Sequence, residues 1–216
     1  MKFLEKEINK SPLFGLKRSD TIKSLQMNAF NEFIRHGLPN RSWEDWKYSD
    51  FSLLNNMSFR FGLRKNISTL PNPFPEINNS NRIVFFNGYY QKDFSSINSQ
   101  ISIETIDETY RENPELIHEI FSPNANPFHN INSALINTGL TITVNDNEII
   151  NEPIHIINYT SDIDEPIMNH PLFIMKIGNG SEASIVEHYY GSTNREYWVN
   201  AVTKIELQKN SSLNHI

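Results

Sequence analysis

The chain has no cysteine among its 216 residues. This excludes disulfide stapling and thiolate chemistry by its own side chains, and it is consistent with a reducing compartment. No apolar run approaches the ~20 residues that span a bilayer, and Met1 to Lys10 carries charges where a signal peptide needs its apolar region. A cytoplasmic protein without membrane contact is therefore expected. Nor is there a concentration of basic residues: 19 Lys and Arg stand against 25 Asp and Glu, for a formal net charge of -6. A phosphate backbone needs the opposite balance, so nucleic acid is not an expected partner. Catalytic signatures are missing too. Gly-x-Ser-x-Gly, the Walker sequence and the glycine-rich dinucleotide fingerprint do not occur. Gly178-Asn179-Gly180-Ser181 does not lead into a helix as a nucleophile elbow or phosphate loop does, and it reads as a turn between strands.

What is present argues for a folded chain. Hydrophobic residues make up 38% and aromatics 12%, with 14 Phe, 8 Tyr and 3 Trp spread over both halves, which is incompatible with general disorder. Ile22, Leu25, Ala29, Phe30, Phe33 and Ile34 fall near a 3.6-residue period, so a helix is expected over 19–36, capped by Ser19 or Asp20 and stopped by Gly37. A second helix is expected over 42–54, with Trp43, Trp46, Phe51 and Leu54 facing inward. Three prolines between Leu70 and Asn81 mark a linker or long loop. Arg82 to Phe86 then reads as a strand, followed by a hairpin turn at Asn87-Gly88. Another strand is expected over 100–106. Two helices follow, one within 108–121 and one over 127–138, the latter capped by Asn126, buried along Phe128, Ile131 and Leu135, and ended by Gly139.

After Gly139 the pattern changes to β-rich stretches at 140–144, 154–159, 172–177, 183–190, 198–207 and 213–216, separated by Asn, Asp, Gly, Ser and Pro. Short strands at this spacing suit a sandwich, a jelly roll or a β-solenoid, and periodicity alone does not choose among them. Three segments result: a helical amino-terminal region with its linker (1–80), a mixed strand and helix segment (81–139), and a β-rich segment (140–216).

The residues with chemical potential are few. His118, His129, His155, His170, His188 and His215 include no His-Glu-x-x-His or His-x-His spacing, and no acidic calcium loop occurs, so no metal site is assigned. His188 is the best single candidate, and strand alternation sends it to the face opposite Glu187. Glu187 follows Ile185-Val186 and shares its face with Ala183, Ile185 and Tyr189. A buried acid-base carboxylate is one reading; a carboxylate that reaches solvent or caps a turn is the expected one.

The stretch Gly37-Leu-Pro-Asn-Arg41-Ser-Trp-Glu-Asp-Trp46-Lys47-Tyr48-Ser-Asp50 resembles the signature of the SufD family, in which a helix ends at Gly-x-Pro and an Arg precedes Glu-x-Trp-Lys-Tyr-Thr. Ser49 stands here for the usual Thr. Trp46 and Tyr48 are expected to pin the short helix against the preceding one. The resemblance continues through Phe85-Phe86-Asn87-Gly88-Tyr89-Tyr90, through Asn126-Pro-Phe128-His-Asn-Ile-Asn132-Ser-Ala134-Leu135, and through Pro153-Ile154. It ends with Ile185-Val-Glu187-His-Tyr-Tyr-Gly191 and Leu213-Asn-His215. SufB is the sister family, and the Trp-Lys-Tyr entry favours SufD.

The resemblance implies a mainly β fold with amino-terminal helices feeding a right-handed parallel β-helix, which selects the solenoid from the three architectures. It also implies a non-catalytic scaffold that pairs with a SufB-like protein and a SufC-like ATPase in iron-sulfur cluster assembly. Family members are longer, so the chain is expected to be truncated, and no cluster-forming, catalytic or cofactor-binding residue carries over. Without thiolates, this chain alone is expected to hold no cluster. An open β-helix end is expected to promote self-association. The competing readings are a carbohydrate-binding or carbohydrate-active solenoid, stacking sugars on Tyr189, Tyr190, Tyr197 and Trp198, and a metal-dependent enzyme.

Overall fold

In the computed structural model, which describes residues 3–7, 20–62, 64, 67, 69, 81–136, 138–161, 165–192 and 196–216, a short helix α1 (Phe3–Glu7) precedes the long helix α2 (Asp20–His36). Ser19 and the proline-rich stretch 70–80 lie outside the described residues. Ile22, Ala29, Phe30 and Phe33 of α2 are buried on one face. Gly37, at φ 70°, closes the helix as its amide donates to the Phe33 carbonyl at 2.7 Å. Ile34 departs from expectation: it sits at the edge of the apolar stripe and is 45% exposed. Gln26, spaced four residues from both Ile22 and Phe30, takes a buried place instead, and its Nε2 donates to the Ala134 carbonyl at 3.3 Å.

The expected helix over 42–54 does not form. A single 3-10 turn at Glu44–Trp46 is followed by a separate helix α3 (Ser52–Asn56). The reason is local: Asn40 Oδ1 accepts from the Ser42 amide at 2.9 Å, and Asp50 Oδ1 accepts from the Ser52 amide at 2.9 Å. Such side-chain turns compete with helical backbone pairing. Trp46 is half-buried and rests on Phe51 and Phe128, with ring centroids 5.4 and 5.3 Å away, while Tyr48 is 92% exposed and pins nothing.

Strand β1 (Arg60–Phe61) precedes β2 (Arg82–Phe86). The latter turns through Asn87 and Gly88, both at positive φ, into the antiparallel β3 (Tyr89–Tyr90). After β4 (Ile101–Thr105), the single helix expected within 108–121 is two, α4 (Ile106–Glu112) and α5 (Pro114–Phe121). Pro114 cannot continue α4, and Asn113 caps α5 by accepting from the Leu116 amide at 3.1 Å. Helix α6 (Pro127–Leu135) starts at the expected cap, with Asn126 Oδ1 accepting from the Phe128 amide at 2.9 Å. It ends before Gly139, which lies inside a strand. A Cβ there would sit 2.2 Å from Ile106 Cγ1, so Gly139 permits close approach to α4 rather than stopping a helix.

From this point the chain is β5 (Thr138–Val144), β6 (Ile154–Thr160), β7 (Ile167–Asn169), β8 (Pro171–Ile177), β9 (Glu182–Gly191), β10 (Tyr197–Val199), β11 (Val202–Leu207) and β12 (Ser212–His215). The strand expected over 198–207 is divided at Asn200, whose side chain donates to the Phe128 carbonyl at 2.9 Å as the chain passes between sheets. Three sheets result, ordered β1-β7-β10, β11-β8-β5-β4 and β12-β9-β6-β2-β3. From β8 to β12 each strand pairs in parallel with the strand three places earlier in the chain. The turns stack as well: the Asn147 amide donates to the Asn179 carbonyl at 2.8 Å and the Gly180 amide to the Lys209 carbonyl at 2.9 Å. Asn147, Gly180 and Asn210 hold the same positive-φ place in successive turns.

The two larger sheets face each other over one core, built from Ile83, Phe85, Ile154, Ile156 and Ile185 on one side and Leu140, Ile142, Val144, Phe173, Met175 and Ile177 on the other. Helix α2 packs against α6, where Phe30, Phe33, Ile131 and Leu135 form a second cluster with Met168 and Trp198.

Candidate functional site

Strand β9 carries the polar chemistry, and its alternation divides that chemistry between two faces. On the core side, register aligns Ile83, Ile156 and Glu187 in one row, Phe85, Asn158 and Tyr189 in a second, and Ile154, Ile185 and His215 in a third. The opposing sheet aligns Leu140, Phe173 and Thr203. Each row starts apolar and ends polar, so the last strands bring four polar side chains together. Glu187 accepts from Thr203 Oγ1 at 2.8 Å, lies 2.7 Å from His215 Nε2, and accepts a short bond from the Tyr189 hydroxyl.

The Glu187 side chain is only 9% exposed, which corrects the expectation of a solvated or turn-capping carboxylate. Its position in the core-side row explains the difference. Two of its donors come from strands later in the chain, His215 on the parallel neighbour β12 and Thr203 on β11 of the opposing sheet, so local sequence does not reveal the burial. Burial, followed by the charge of Glu187, pushes the Tyr189 hydroxyl well above the usual phenol range. The cluster is a hydrogen-bonded tie between the last strands of two sheets. With its carboxylate engaged by three donors, it offers no activated nucleophile.

On the other face His155 and His188 meet, which sequence spacing did not indicate. His155 Nδ1 lies 2.8 Å from His188 Nε2, and the Tyr190 hydroxyl is 3.3 Å from His188 Nδ1. The pairing is set by register: His155 lies opposite Val186 and Ile157 opposite His188, so the rings meet diagonally across β6 and β9. Burial lowers the pKa of both imidazoles, and for His188 the neighbouring His155 lowers it further.

The other histidines are dispersed. His118 lies on α5 beside Tyr110, with ring centroids 6.0 Å apart. His129 on α6 sits 3.3 Å from the Ser122 carbonyl, its pKa lowered by burial. His170 is fully buried against Trp198, and burial pushes its pKa down to about 3. Among the described residues, no group of three or more His, Cys, Asp and Glu is placed to hold a metal ion. The proposed sugar platform is not assembled either. Trp198 is buried against Phe59 and His170, while Tyr189 and Tyr190 engage partners on opposite faces of β9. No described helix is long and apolar enough to cross a membrane.

Comparison with known proteins supplies what the site does not. The family model for the SufBD protein N-terminal region matches residues 9–156. The chain is similar to an iron-sulfur cluster assembly SufBD family protein of Synechocystis, with 26% identity over 196 residues covering 83% of this chain and 43% of the relative. It is also similar to the iron-sulfur cluster assembly protein SufD of Escherichia coli, with 24% identity over 206 residues covering 94% of this chain and 46% of that protein. The chain thus spans less than half the length of these relatives.

Proposed function

Because this chain belongs to the SufBD family and carries its amino-terminal region, we propose that it serves as a non-catalytic scaffold in iron-sulfur cluster assembly. The observation that carries this reading is the family match over residues 9–156. It includes the Trp46-Lys47-Tyr48 stretch and helix α6 (Pro127–Leu135) with its Asn126 cap. In this proposal the protein acts in the cytoplasm with a SufB-like scaffold and a SufC-like ATPase. The parallel pairing of strands three apart supports reading β5 to β12 as successive coils of a right-handed parallel β-helix. A scaffold role also suits the chemistry, since the polar groups of the core-side cluster are spent on one another rather than aimed at a cleft.

Deletion of the gene and assay of enzymes that require iron-sulfur clusters tests the reading. Their specific activity falls while the abundance of their polypeptides holds, and re-expression restores it. Unchanged cluster occupancy in the deletion strain, under iron limitation as well as in rich medium, would overturn the proposal.

A further inference from the structure

We propose that His155 and His188 together bind a divalent first-row transition ion, with Zn2+ as the reference case, on the face of the β2-β6-β9 sheet turned away from the core. The first support is convergence. His155 Nδ1 and His188 Nε2 point at each other across 2.8 Å, with ring planes 24° apart and centroids 5.1 Å apart. Two imidazole nitrogens bound to one tetrahedral ion, at Zn–N distances of about 2.0–2.1 Å, stand about 3.3 Å from each other. Reaching that separation from 2.8 Å needs an opening of about half an ångström, and each of the two half-buried rings must also turn by roughly 35° about its soft terminal torsion so that the lone pairs, which now face each other, meet at the ion.

The second support is the neighbour that fixes a tautomer. The Tyr190 hydroxyl lies 3.3 Å from His188 Nδ1, with the two rings stacked at 10°. When Nδ1 carries the proton and donates it to the Tyr190 oxygen, Nε2 is left as a lone pair aimed at His155. Metal-bound histidines use this arrangement, holding the ligating nitrogen in place through a partner on the other one. Tyr190 is a positioning residue here and not a ligand. His155 ligates through Nδ1 once its proton resides on Nε2.

Protonation favours the ion as well. An ordinary imidazole is mostly neutral at neutral pH, and that is the form a metal requires. The donor set selects the class of ion: paired imidazoles suit Zn2+, Cu2+, Ni2+ or Fe2+, whereas Mg2+ and Ca2+ take oxygen ligands. Two protein ligands leave the remaining positions to water, so the ion is exchangeable rather than structural. The inference stands on the geometry of β6 and β9 and does not depend on the scaffold reading.

Zn2+ titrated calorimetrically into the chelator-treated chain at neutral pH tests it. One ion binds per chain. His155→Gln and His188→Gln each weaken binding at least tenfold, Tyr190→Phe weakens it by about tenfold as loss of an outer-shell partner does, and His129→Gln leaves it unchanged. Circular dichroism shows whether each variant keeps its fold. Cu2+ bound to the unmodified chain supplies a second readout that needs no variant, because its paramagnetic resonance spectrum carries couplings from two imidazole nitrogens. The site is overturned if no saturable binding of one ion occurs, if His188→Gln binds as tightly as the unmodified chain, or if His215→Gln abolishes binding while His188→Gln does not. Coupling to fewer than two nitrogens overturns it as well, and unchanged affinity in Tyr190→Phe removes the positioning role of Tyr190.

Discussion

His170 shows most clearly how burial becomes a property of the folded state. It is fully enclosed beside Trp198 and Phe61, and burial pushes its pKa from 6.5 down to about 3. Between those two values the unfolded chain binds a proton at this position that the folded chain refuses. Falling pH therefore favours unfolding, by up to about 1.4 kcal/mol per pH unit from this one group. Urea unfolding at pH 7, 6 and 5 measures the effect: His170→Gln shows a flatter decline than the unmodified chain, and parallel declines would mean that His170 titrates normally. Trp46 makes a different demand. Because it is half-buried on Phe51 and Phe128, Trp46→Ala costs about 2 kcal/mol, less than the ~3–5 kcal/mol of a fully buried aromatic. Thermal unfolding reads this loss; an unchanged melting temperature with lost partner binding would make Trp46 a contact residue instead.

Elements were legible in the sequence where local chemistry decides them. Asn126-Pro127 starts α6, Asn87-Gly88 turns β2 into β3, and the period-3.6 stripe with Gly37 delimits α2. They were illegible where tertiary contact decides. Gly139 looks like a helix stop, yet it sits in β5 because Ile106 of α4 leaves no room for a side chain. β7 and β10 have three residues each, too few to show a period, and exist because they pair with one another. The Glu187 cluster and the His155–His188 pair arise from register between strands that lie far apart in the chain. The Gly139 account can be tested by a double-mutant cycle. Gly139→Ala destabilises by about 1–3 kcal/mol through overpacking, and most of that cost disappears when Ile106 is already alanine. Additive costs in the cycle would contradict the contact.

At the scale of the whole molecule, β11 and β12 each form one edge of the two larger sheets, and Ile205 and Leu207 on β11 and Ile216 just past β12 are 38%, 52% and 67% exposed. On the proposed β-helix reading, this face accepts a further stacked strand, and the 216-residue chain self-associates when expressed alone. Size-exclusion chromatography with light scattering would show oligomers that grow with concentration. A monodisperse and thermally robust monomer would instead withdraw the β-helix reading in favour of a β region closed on itself.

The scaffold proposal rests on partners more than on any side chain, so partner identity tests it most directly. The protein, tagged at its own locus and purified under anaerobic conditions, is expected to bring down a SufB-like scaffold and a SufC-like ATPase in near-stoichiometric amounts, identified by mass spectrometry. Recovery of the folded protein with neither of them, from cells that make both, would contradict the account.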